Sequence, residues 1–372
     1  MHPLLFSAIS IQGRILKNRL TMAPLYLGYA GEGGSVSEML LAHYQLMARS
    51  GVALVMVENA TVSHPDGSGS HRTLRADTDD HLDGLKQLAR AIQQEGALAG
   101  LQINHAGRFA HATDQPLAPS AVKTFDRMPR ALEEEEIARI VDRYAQAAQR
   151  AQAAGFDVVE LHGGTGYLLA QFLSPRTNRR TDGYGGALAN RERFALEVVS
   201  RVKTAVGDYP VGYRFLADEW MPDGWHLDES LPFARRLADA GIAYISVMGG
   251  TYESFGLPEV VRKSAQPGYM LDLAAAVRAE VKIPVIAAGR LGSAAVAESA
   301  IAEGKADLIG LARGLWTDPL WPQKVREGRE AEIIHCTPDC GDACTRMVMK
   351  GRPAYCVQWP AEKIKEWKAK FV

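Results

Sequence analysis

The sequence predicts a (β/α)8 barrel, the TIM-barrel fold of the α/β class, followed by a cysteine-rich C-terminal extension. Short apolar runs rich in Val, Ile and Leu alternate eight times with longer amphipathic stretches. The runs are apolar throughout, as expected for parallel strands that are covered on both faces. All four cysteines lie between residues 336 and 356, and none precedes them. These observations place a large barrel first and a separate small segment after it.

The predicted elements alternate regularly along the chain. The strands are residues 20–22, 53–58, 98–103, 158–161, 211–215, 244–247, 285–288 and 308–311. The helices are residues 37–50, 79–95, 132–154, 191–206, 227–240, 271–281, 292–303 and 318–327. Most of these helices are directly followed by a glycine, which ends a helix at little steric cost. The domain prediction is therefore a barrel over 1–332 and a cysteine-rich segment over 333–372.

Composition excludes several classes of function. Of the 372 residues, 47% are hydrophobic and 23% are charged, and the net charge is -1. This balance gives no electrostatic attraction to nucleic acid or to an anionic membrane. No run of 18 uncharged apolar residues occurs, and the first apolar run lacks the basic residues that open a secretory signal. We therefore expect a cytoplasmic protein that acts on a small-molecule substrate.

The barrel prediction says where chemistry should lie. An open dinucleotide-binding sheet would carry a Gly-x-Gly-x-x-Gly turn after an early strand, and the sequence has neither that turn nor a Walker phosphate loop. In a barrel, the residues that follow the strands meet at one mouth. The residues directly after each predicted strand are thus the candidates for function.

Two proton-handling side chains follow the fourth strand. His162 and Tyr167 are five residues apart in one loop, and Gln102 and Arg214 lie on or after the third and fifth strands. A buried arginine at a strand end requires an anionic partner or a ligand. The alternative interpretation of the pair is a core histidine and a packing tyrosine.

The last two strands end in small residues followed by arginine. Gly289 and Arg290 follow the seventh strand, and Ala312 and Arg313 follow the eighth, where barrels often hold a phosphate. Turn glycines with surface arginines are the alternative interpretation. The occurrence of the pattern after both strands favours a phosphate site.

The cysteines form a pattern of their own. Cys336, Cys340, Cys344 and Cys356 follow one another after three, three and eleven intervening residues. A secreted disulfide framework would be spread through a small domain, whereas these thiols are gathered behind a large cysteine-free one. The four thiolates therefore predict an iron-sulfur cluster or a zinc site.

Several long ordered segments resemble the old yellow enzyme family of FMN-dependent oxidoreductases. They are residues 16–24 (LKNRLTMAP), 102–108 (QINHAGR), 162–167 (HGGTGY), 172–178 (FLSPRTN) and 182–186 (DGYGG). The cysteine tail is similar to that of the iron-sulfur branch, which includes 2,4-dienoyl-CoA reductase and trimethylamine dehydrogenase. The resemblance covers nearly the whole chain.

The resemblance implies FMN as cofactor and NAD(P)H as electron donor. The residues it assigns to the flavin ring are Ala23, Pro24, Leu25, Tyr26, Ala60, Gln102 and Arg214. Those it assigns to the FMN phosphate are Gly289, Arg290, Ala312 and Arg313, in agreement with the phosphate site inferred from the barrel. Arg214 would stabilise negative charge on the reduced ring.

For catalysis, the resemblance assigns His162 as a hydrogen-bond donor to a substrate carbonyl and Tyr167 as the proton donor. A hydride would pass from the flavin to the β carbon of an activated alkene, and Tyr167 would protonate the α carbon. Thr165 departs from the family, whose simple reductases carry His or Asn there, and this weakens the expected carbonyl clamp. Tyr252 stands where the dienoyl-CoA reductases carry a histidine, so it is a candidate second donor.

Two further residues are assigned to the substrate side. Tyr26 occupies a position that tunes the flavin potential in this family, and its bulk could equally narrow the pocket. Arg176, within the segment 172–178, is a candidate substrate contact. Specificity is expected in the loops 106–130 and 220–225.

The cysteine spacing departs from the family pattern of two, three and eleven by one residue. Looping out Pro338 or a neighbour would keep four thiolates around one [4Fe-4S] cluster. Zinc and free thiols remain as alternatives. The chain ends 16 residues after Cys356, so the nucleotide-binding domains of the larger relatives are not expected here.

The leading functional interpretation is an ene-reductase that reduces the C=C bond of an α,β-unsaturated carbonyl or dienoyl thioester. A second is an amine or N-methyl dehydrogenase that passes electrons through the cluster to a separate partner, with an ammonium boxed by Tyr26, Trp220, Trp225 and Tyr252. A third is a non-catalytic electron-transfer subunit. Family membership also implies a homo-oligomer.

Overall fold

The computed structural model describes residues 2–371 and confirms the (β/α)8 fold class. The strands are β1 (Ile9–Ile11), β2 (Arg14–Leu16), β3 (Leu20–Met22), β4 (Leu54–Thr61), β5 (Leu98–Asn104), β6 (Leu117–Ala118), β7 (Arg130–Ala131), β8 (Val158–Gly163), β9 (Val211–Asp218), β10 (Tyr244–Gly249), β11 (Val285–Ala287) and β12 (Leu308–Leu311). A closed parallel barrel runs through β3, β4, β5, β8, β9, β10, β11 and β12, and β12 pairs with β3 to complete it. Each predicted strand is one of these eight.

Helices surround the barrel between the strands. They are α1 (Glu38–Arg49), α2 (Leu82–Gln94), α3 (Glu134–Ala153), α4 (Leu168–Leu173), α5 (Leu188–Val206), α6 (Leu227–Asp239), α7 (Pro258–Ser264), α8 (Leu271–Glu280), α9 (Ala294–Ala302), α10 (Arg313–Thr317), α11 (Trp321–Arg326), α12 (Ala343–Met349) and α13 (Ala361–Phe371). The eight predicted helices correspond to α1, α2, α3, α5, α6, α8, α9 and α11. Short helices α4, α7, α10, α12 and α13 were not predicted.

Local sequence explains where the helices begin. The Ser37 hydroxyl accepts a hydrogen bond from the Leu40 N–H at 3.1 Å, which caps the first turn of α1. At the start of α3, Glu133 and Glu136 form a reciprocal capping box. Acidic residues in that first turn also interact favourably with the helix dipole. The four consecutive acidic residues 133–136 are therefore explained by the start of a helix.

The hairpin of β1 and β2 closes the amino-terminal end of the barrel. Ile11 and Leu16 are each 1% exposed and pack with buried strand residues such as Leu54 and Tyr244. Inside the barrel, Gly212 makes room for the ring of Tyr244, because a Cβ at residue 212 would lie 2.1 Å from it. The closed lower end leaves the carboxyl ends of the strands as the open mouth.

The cysteine-rich segment packs directly on the barrel. The Ala354 N–H donates to the Leu27 carbonyl at 3.0 Å, next to the end of β3. The Trp359 indole donates to the Thr317 carbonyl at 3.1 Å, after β12. The tail thus contacts the loops after β3 and β12, and both of these loops carry residues that were assigned to FMN. The boundary between residues 332 and 333 remains a prediction.

Within the described range 2–371, no helix combines the length and the apolar character needed to cross a membrane.

Candidate active site

The structure brings the residues predicted for the flavin and the substrate to one end of the barrel. Ala23 and Tyr26 follow β3, Ala60 lies near the end of β4, Gln102 lies in β5, and Arg214 lies in β9. Arg214 lies at the middle of β9, and the other four lie in or beyond the carboxyl-terminal half of their strands, which is the end at which barrel enzymes carry their sites.

Strand register accounts for two contacts between buried polar side chains in the barrel. Gln102 is paired with Glu160 across β5 and β8, and its amide donates to the Glu160 carboxyl at 2.8 Å. Arg214 is paired with Ser246 across β9 and β10, and its guanidinium donates to the Ser246 hydroxyl at 2.7 Å. Neighbouring parallel strands therefore explain both contacts.

The buried charges of Arg214 and Glu160 compensate each other only in part. Burial lowers the pKa of Arg214, whereas the neighbouring Glu160 acts in the opposite direction. Burial also raises the pKa of Glu160, against the effects of Arg214 and Gln102. A guanidinium whose one hydrogen-bond acceptor in the described part of the chain is a serine hydroxyl retains donors for a ligand. Gln102 and Arg214 thus suit the polar pyrimidine edge of a flavin.

His162, near the end of β8, is held as a neutral donor. The Gly164 N–H donates to Nδ1 of His162 at 3.2 Å, so the proton of the neutral ring is assigned to Nε2. Burial lowers the pKa of His162 well below its ordinary value, and Arg214 adds to this effect. Nε2–H is therefore available to an acceptor at neutral pH.

Tyr167 lies beside His162 and carries a second hydroxyl with it. The rings of His162 and Tyr167 meet edge to face with centroids 4.8 Å apart. The Tyr167 hydroxyl lies 2.7 Å from the hydroxyl of Tyr252. Burial raises the pKa of Tyr167 well above its ordinary value, and the neighbouring Tyr252 adds to this effect. The predicted catalytic residues Tyr167, His162 and Tyr252 are therefore brought together, with both the imidazole and the Tyr167 phenol neutral.

Thr165 makes contacts within the protein, and its role in catalysis remains a prediction. Its φ of 58° lies in the left-handed region. The backbone of Thr165 forms an isolated β-bridge with that of Thr251. The Thr165 hydroxyl donates to the sulfur of Met248 at 3.5 Å. The residue joins the two loops that carry Tyr167 and Tyr252, so it contributes to their approach.

Tyr26 lies on the same side of the mouth as the tyrosine pair. Its hydroxyl is hydrogen-bonded to the Ser70 hydroxyl. Burial raises the pKa of Tyr26 to about 12, with smaller effects from Glu58 and Tyr252. Tyr26 is thus neutral and near both the predicted flavin position and Tyr252.

The four aromatic residues suggested as an ammonium box do not come together. Trp225 is fully buried, and its indole donates to the Leu216 carbonyl at 2.9 Å, so its assignment to a binding box is wrong. Trp220 packs beneath the Lys263 ammonium, 4.6 Å from the ring centroid. Trp225 is a core residue because the turn after β9 folds back onto the helix layer.

Arg176 is occupied by two carboxylates. It pairs with Asp223 at 2.9 Å and with Glu253 at 3.4 Å. Glu253 also pairs with Arg108, whose side chain is 2% exposed. Arg176 therefore lies at the rim next to Tyr252, and its contact with a substrate remains a prediction.

The predicted phosphate site has an unusual backbone. Gly289 has φ 105°, and a Cβ there would lie 3.1 Å from Met270. Arg290 has φ 51° and donates to the Cys336 carbonyl at 3.3 Å. Arg313 begins α10 and pairs with Asp342 of the tail at 2.5 Å. Small residues and two cations thus surround this corner, and both arginines also contact the cysteine segment.

All four cysteines line one pocket together with Arg313. Cys340 lies in a short 3-10 turn, followed by Gly341 and Asp342, which both have left-handed backbone angles. Within residues 2–371, no three His, Cys, Asp or Glu side chains are gathered as they would be around a single metal ion.

Sequence reasoning missed three groups at the mouth. Glu160 lies two residues before His162 and so shares its face of β8, a period-2 signal that could have been used. Ser246 and Phe109 carried no comparable signal, because a serine in a strand and an aromatic in a loop are common. Phe109 contacts both Tyr167 and Tyr252, with ring centroids 6.4 and 5.1 Å away.

Known proteins resemble this chain in sequence and in structure. A family model described as the NADH:flavin oxidoreductase / NADH oxidase family matches residues 4–332. An NADH oxidase of Thermoanaerobacter brockii is 42% identical over 350 residues, which cover 92% of this chain and 53% of that protein. An NADPH dehydrogenase of Geobacillus sp. is 36% identical over 325 residues, which cover 87% of this chain and 93% of that protein.

Among solved structures, 2-naphthoyl-CoA reductase in complex with 2-naphthoyl-CoA superimposes with a TM-score of 0.91 and 31% identity. The match covers 97% of this chain and 57% of that one. The chain thus spans about half the length of this reductase and of the Thermoanaerobacter protein.

Proposed function

This chain belongs to the NADH:flavin oxidoreductase / NADH oxidase family, and on that premise we propose that it is an FMN-dependent ene-reductase. Its substrate class is an α,β-unsaturated carbonyl compound or thioester, and NAD(P)H is the donor. The similarity to a reductase that was solved with 2-naphthoyl-CoA supports including thioesters.

One observation carries the proposal, namely the neutral His162 beside the neutral Tyr167. Reduction of an activated alkene develops negative charge on the carbonyl oxygen and requires a proton at the α carbon. The Nε2–H of His162 supplies a hydrogen bond for the first, and the phenol of Tyr167 supplies the proton for the second. An electron carrier without substrate chemistry has no use for this acid.

FMN, when bound, supplies the hydride for this reaction. Gln102 and Arg214 would hold the pyrimidine edge, and the backbone at Gly289, with Arg290 and Arg313, would hold the phosphate. These residues fit FMN because Arg214 keeps unused hydrogen-bond donors and Gly289 has a backbone conformation that residues with a side chain rarely adopt. Arg214 would then place a positive charge beside the ring and stabilise the negative charge of its reduced form.

Tyr252 connects the buried acid to solvent. It is 44% exposed, whereas Tyr167 is 6% exposed, and their hydroxyls are in hydrogen-bond contact. A proton lost by Tyr167 can therefore be replaced through Tyr252. Tyr252 is proposed as a proton relay rather than as a group that contacts the substrate.

The test is Tyr167→Phe in FMN-loaded protein, observed under anaerobic conditions by stopped-flow absorbance. Reduction by NAD(P)H should be unchanged, whereas reoxidation by 2-cyclohexen-1-one should slow by roughly 100-fold, since general acid catalysis contributes that much. Tyr209→Phe is the matched control, because that hydroxyl donates to the Phe156 carbonyl, away from the mouth.

Two results would contradict the proposal. Equal reoxidation rates for Tyr167→Phe and wild type would remove Tyr167 as the acid. Bleaching of the flavin by amines without NAD(P)H, together with no enone turnover, would favour the amine dehydrogenase instead.

The cysteine pocket is proposed to hold a [4Fe-4S] cluster. In such a cluster each thiolate binds a different iron, so the sulfurs stand farther apart than the four ligands of one zinc ion. All four cysteines line one pocket, so four thiolates are available to a single cluster. The cluster supplies one-electron transfer when bound.

Iron, acid-labile sulfide and zinc should be measured on one anaerobically purified sample. About four iron and four sulfide per FMN are expected. Stoichiometric zinc, or no metal after attempted reconstitution, would overturn the cluster.

A further inference from the structure

A tight turn at the mouth presents an aromatic side chain in a strained backbone. Thr124 and Arg127 exchange backbone hydrogen bonds of 2.9 and 3.0 Å around the two residues between them. The first of these, Phe125, has φ 52°. This position of a two-residue hairpin turn normally takes glycine, and a bulky residue with positive φ is an outlier. Backbone strain of this kind is concentrated at functional sites.

The turn is anchored to the residues around the tyrosine pair. The Arg127 guanidinium donates to the Ala110 carbonyl at 2.6 Å. Arg108 donates to the Thr124 hydroxyl at 3.2 Å and pairs with Glu253, the residue after Tyr252. Phe125 therefore has a defined position relative to Tyr252.

An unbroken series of ring contacts leads from Phe125 to the proton donor. The Phe125 ring lies 6.1 Å from that of Phe109, which lies 5.1 Å from Tyr252 and 6.4 Å from Tyr167. Phe255 extends the series beyond Tyr252, at 6.3 Å. At the outer end, Phe125 is 63% exposed and Phe255 is 38% exposed. Apolar surface thus continues from solvent to the acid.

We infer that Phe125 is a specificity-determining residue that binds a flat apolar substituent, such as an aryl ring, on the alkene of the substrate. The location of the reacting carbon rests on the proposed function. An aromatic ring on the substrate would continue the edge and face contacts that Phe109 already makes, since rings prefer such geometries at these separations. A small enone would reach His162 and Tyr167 without contacting Phe125.

Packing of the fold alone does not account for this residue. The Phe125 side chain is largely exposed, and its positive φ is one that glycine adopts more readily. A second copy of this chain could cover the same surface, and the experiment distinguishes that occupant from a small molecule.

The experiment compares two enones that differ in one substituent, 4-phenyl-3-buten-2-one and 3-penten-2-one. Their dissociation constants are measured by calorimetry on the oxidised FMN-loaded protein without NAD(P)H, so that no turnover is needed. Wild type should prefer the phenyl compound, and Phe125→Ala should weaken its binding by roughly tenfold while leaving the methyl compound unchanged. Phe125→Gly should give the same loss, and because it relieves the positive φ it should fold at least as well as wild type. Ile15→Ala, at an exposed apolar residue of the lower hairpin, is the control.

The same samples are examined by size-exclusion chromatography with light scattering. No preference for the phenyl compound in wild type, or an equal effect of Phe125→Ala on both compounds, overturns the inference. Loss of the preference together with a change of oligomeric state also overturns it and assigns the surface to a second copy. Failure of either enone to be reduced would count against the proposed function alone, because the binding comparison requires no reduction.

Discussion

The hydroxyl oxygens of Tyr167 and Tyr252 lie 2.7 Å apart although 85 positions separate the two residues. Their loops follow β8 and β10, the two neighbours of β9 in the barrel. The bridge between Thr165 and Thr251 joins these loops two residues and one residue before the tyrosines. The two tyrosines proposed as acid and relay are thus supplied by two separate βα loops.

Tyr252→Phe should slow enone-dependent reoxidation of the flavin by roughly tenfold without changing its reduction by NAD(P)H, because Tyr167 loses its connection to solvent. The double variant with Tyr167→Phe should be no slower than Tyr167→Phe alone, since the two hydroxyls act in series. Stopped-flow rates for the four proteins test this. Additive effects on the activation free energy would mean that Tyr252 acts on its own.

Arg214→Met should weaken FMN binding to the apoprotein by at least roughly tenfold, because a charged donor to the flavin is lost. Fluorescence titration with FMN measures the dissociation constant. Arg201→Met is the matched control, since Arg201 forms an exposed ion pair with Asp142. Unchanged affinity for the Arg214 variant would exclude this residue from the flavin site.

Glu58→Gln should stabilise the protein at pH 8 and have little effect near pH 5. Burial raises the pKa of Glu58 to about 8, and one of its oxygens has no hydrogen-bond partner in the described structure. A raised folded pKa means that the stability from this group is present below the unfolded value near 4.5 and is lost as the pH rises towards 8. Between these two pKa values the free energy of unfolding falls by about 1.4 kcal/mol per pH unit. Glutamine does not ionise, so the variant does not lose this stability.

Urea unfolding of wild type and Glu58→Gln at pH 5, 6.5 and 8 measures this difference. Glu32→Gln is the control, because its side chain is 95% exposed. A constant difference between Glu58→Gln and wild type across these pH values would show that Glu58 does not titrate in this range.

Cys356→Ser should reduce both the iron content and the retention of FMN. Cys356 is buried against Thr317, and Ala354 is hydrogen-bonded to Leu27, so the tail supports the loops after β12 and β3. Iron analysis and flavin absorbance after desalting measure the two losses. Met349→Ser, at an exposed position of the same segment, should leave both unchanged. Loss of iron with full retention of FMN would separate the tail from the flavin site.

The barrel strands and most of their helices could be predicted because their signal is local. The strand 308–311 was predicted with its observed bounds, since an apolar run between a helix end and an alanine-arginine pair has few other interpretations. The hairpin of Ile9–Ile11 and Arg14–Leu16 was not predicted, because each strand is three residues long and is stabilised by packing on the barrel end. The short helices in the tail depend on tertiary contacts in the same way.

The site shows the same division. His162, Tyr167 and Arg214 could be named from the sequence because barrel connectivity brings every strand end to one mouth. Trp225 could not be separated from the mouth aromatics, since its burial depends on how the turn after β9 folds back. The role of Thr165 was also decided by packing, because its hydroxyl meets Met248 from β10.

The sequence by itself determined the barrel, the order of its elements, the family and the residues at the strand ends, because these follow from periodicity, glycine positions and ordered motifs. Only the tertiary structure decided that Tyr167 meets Tyr252, that Phe125 lies at the rim, and that the cysteine tail contacts the loops after β3 and β12. These are contacts between residues far apart in the chain. They depend on loop conformation and side-chain packing, which no local pattern encodes.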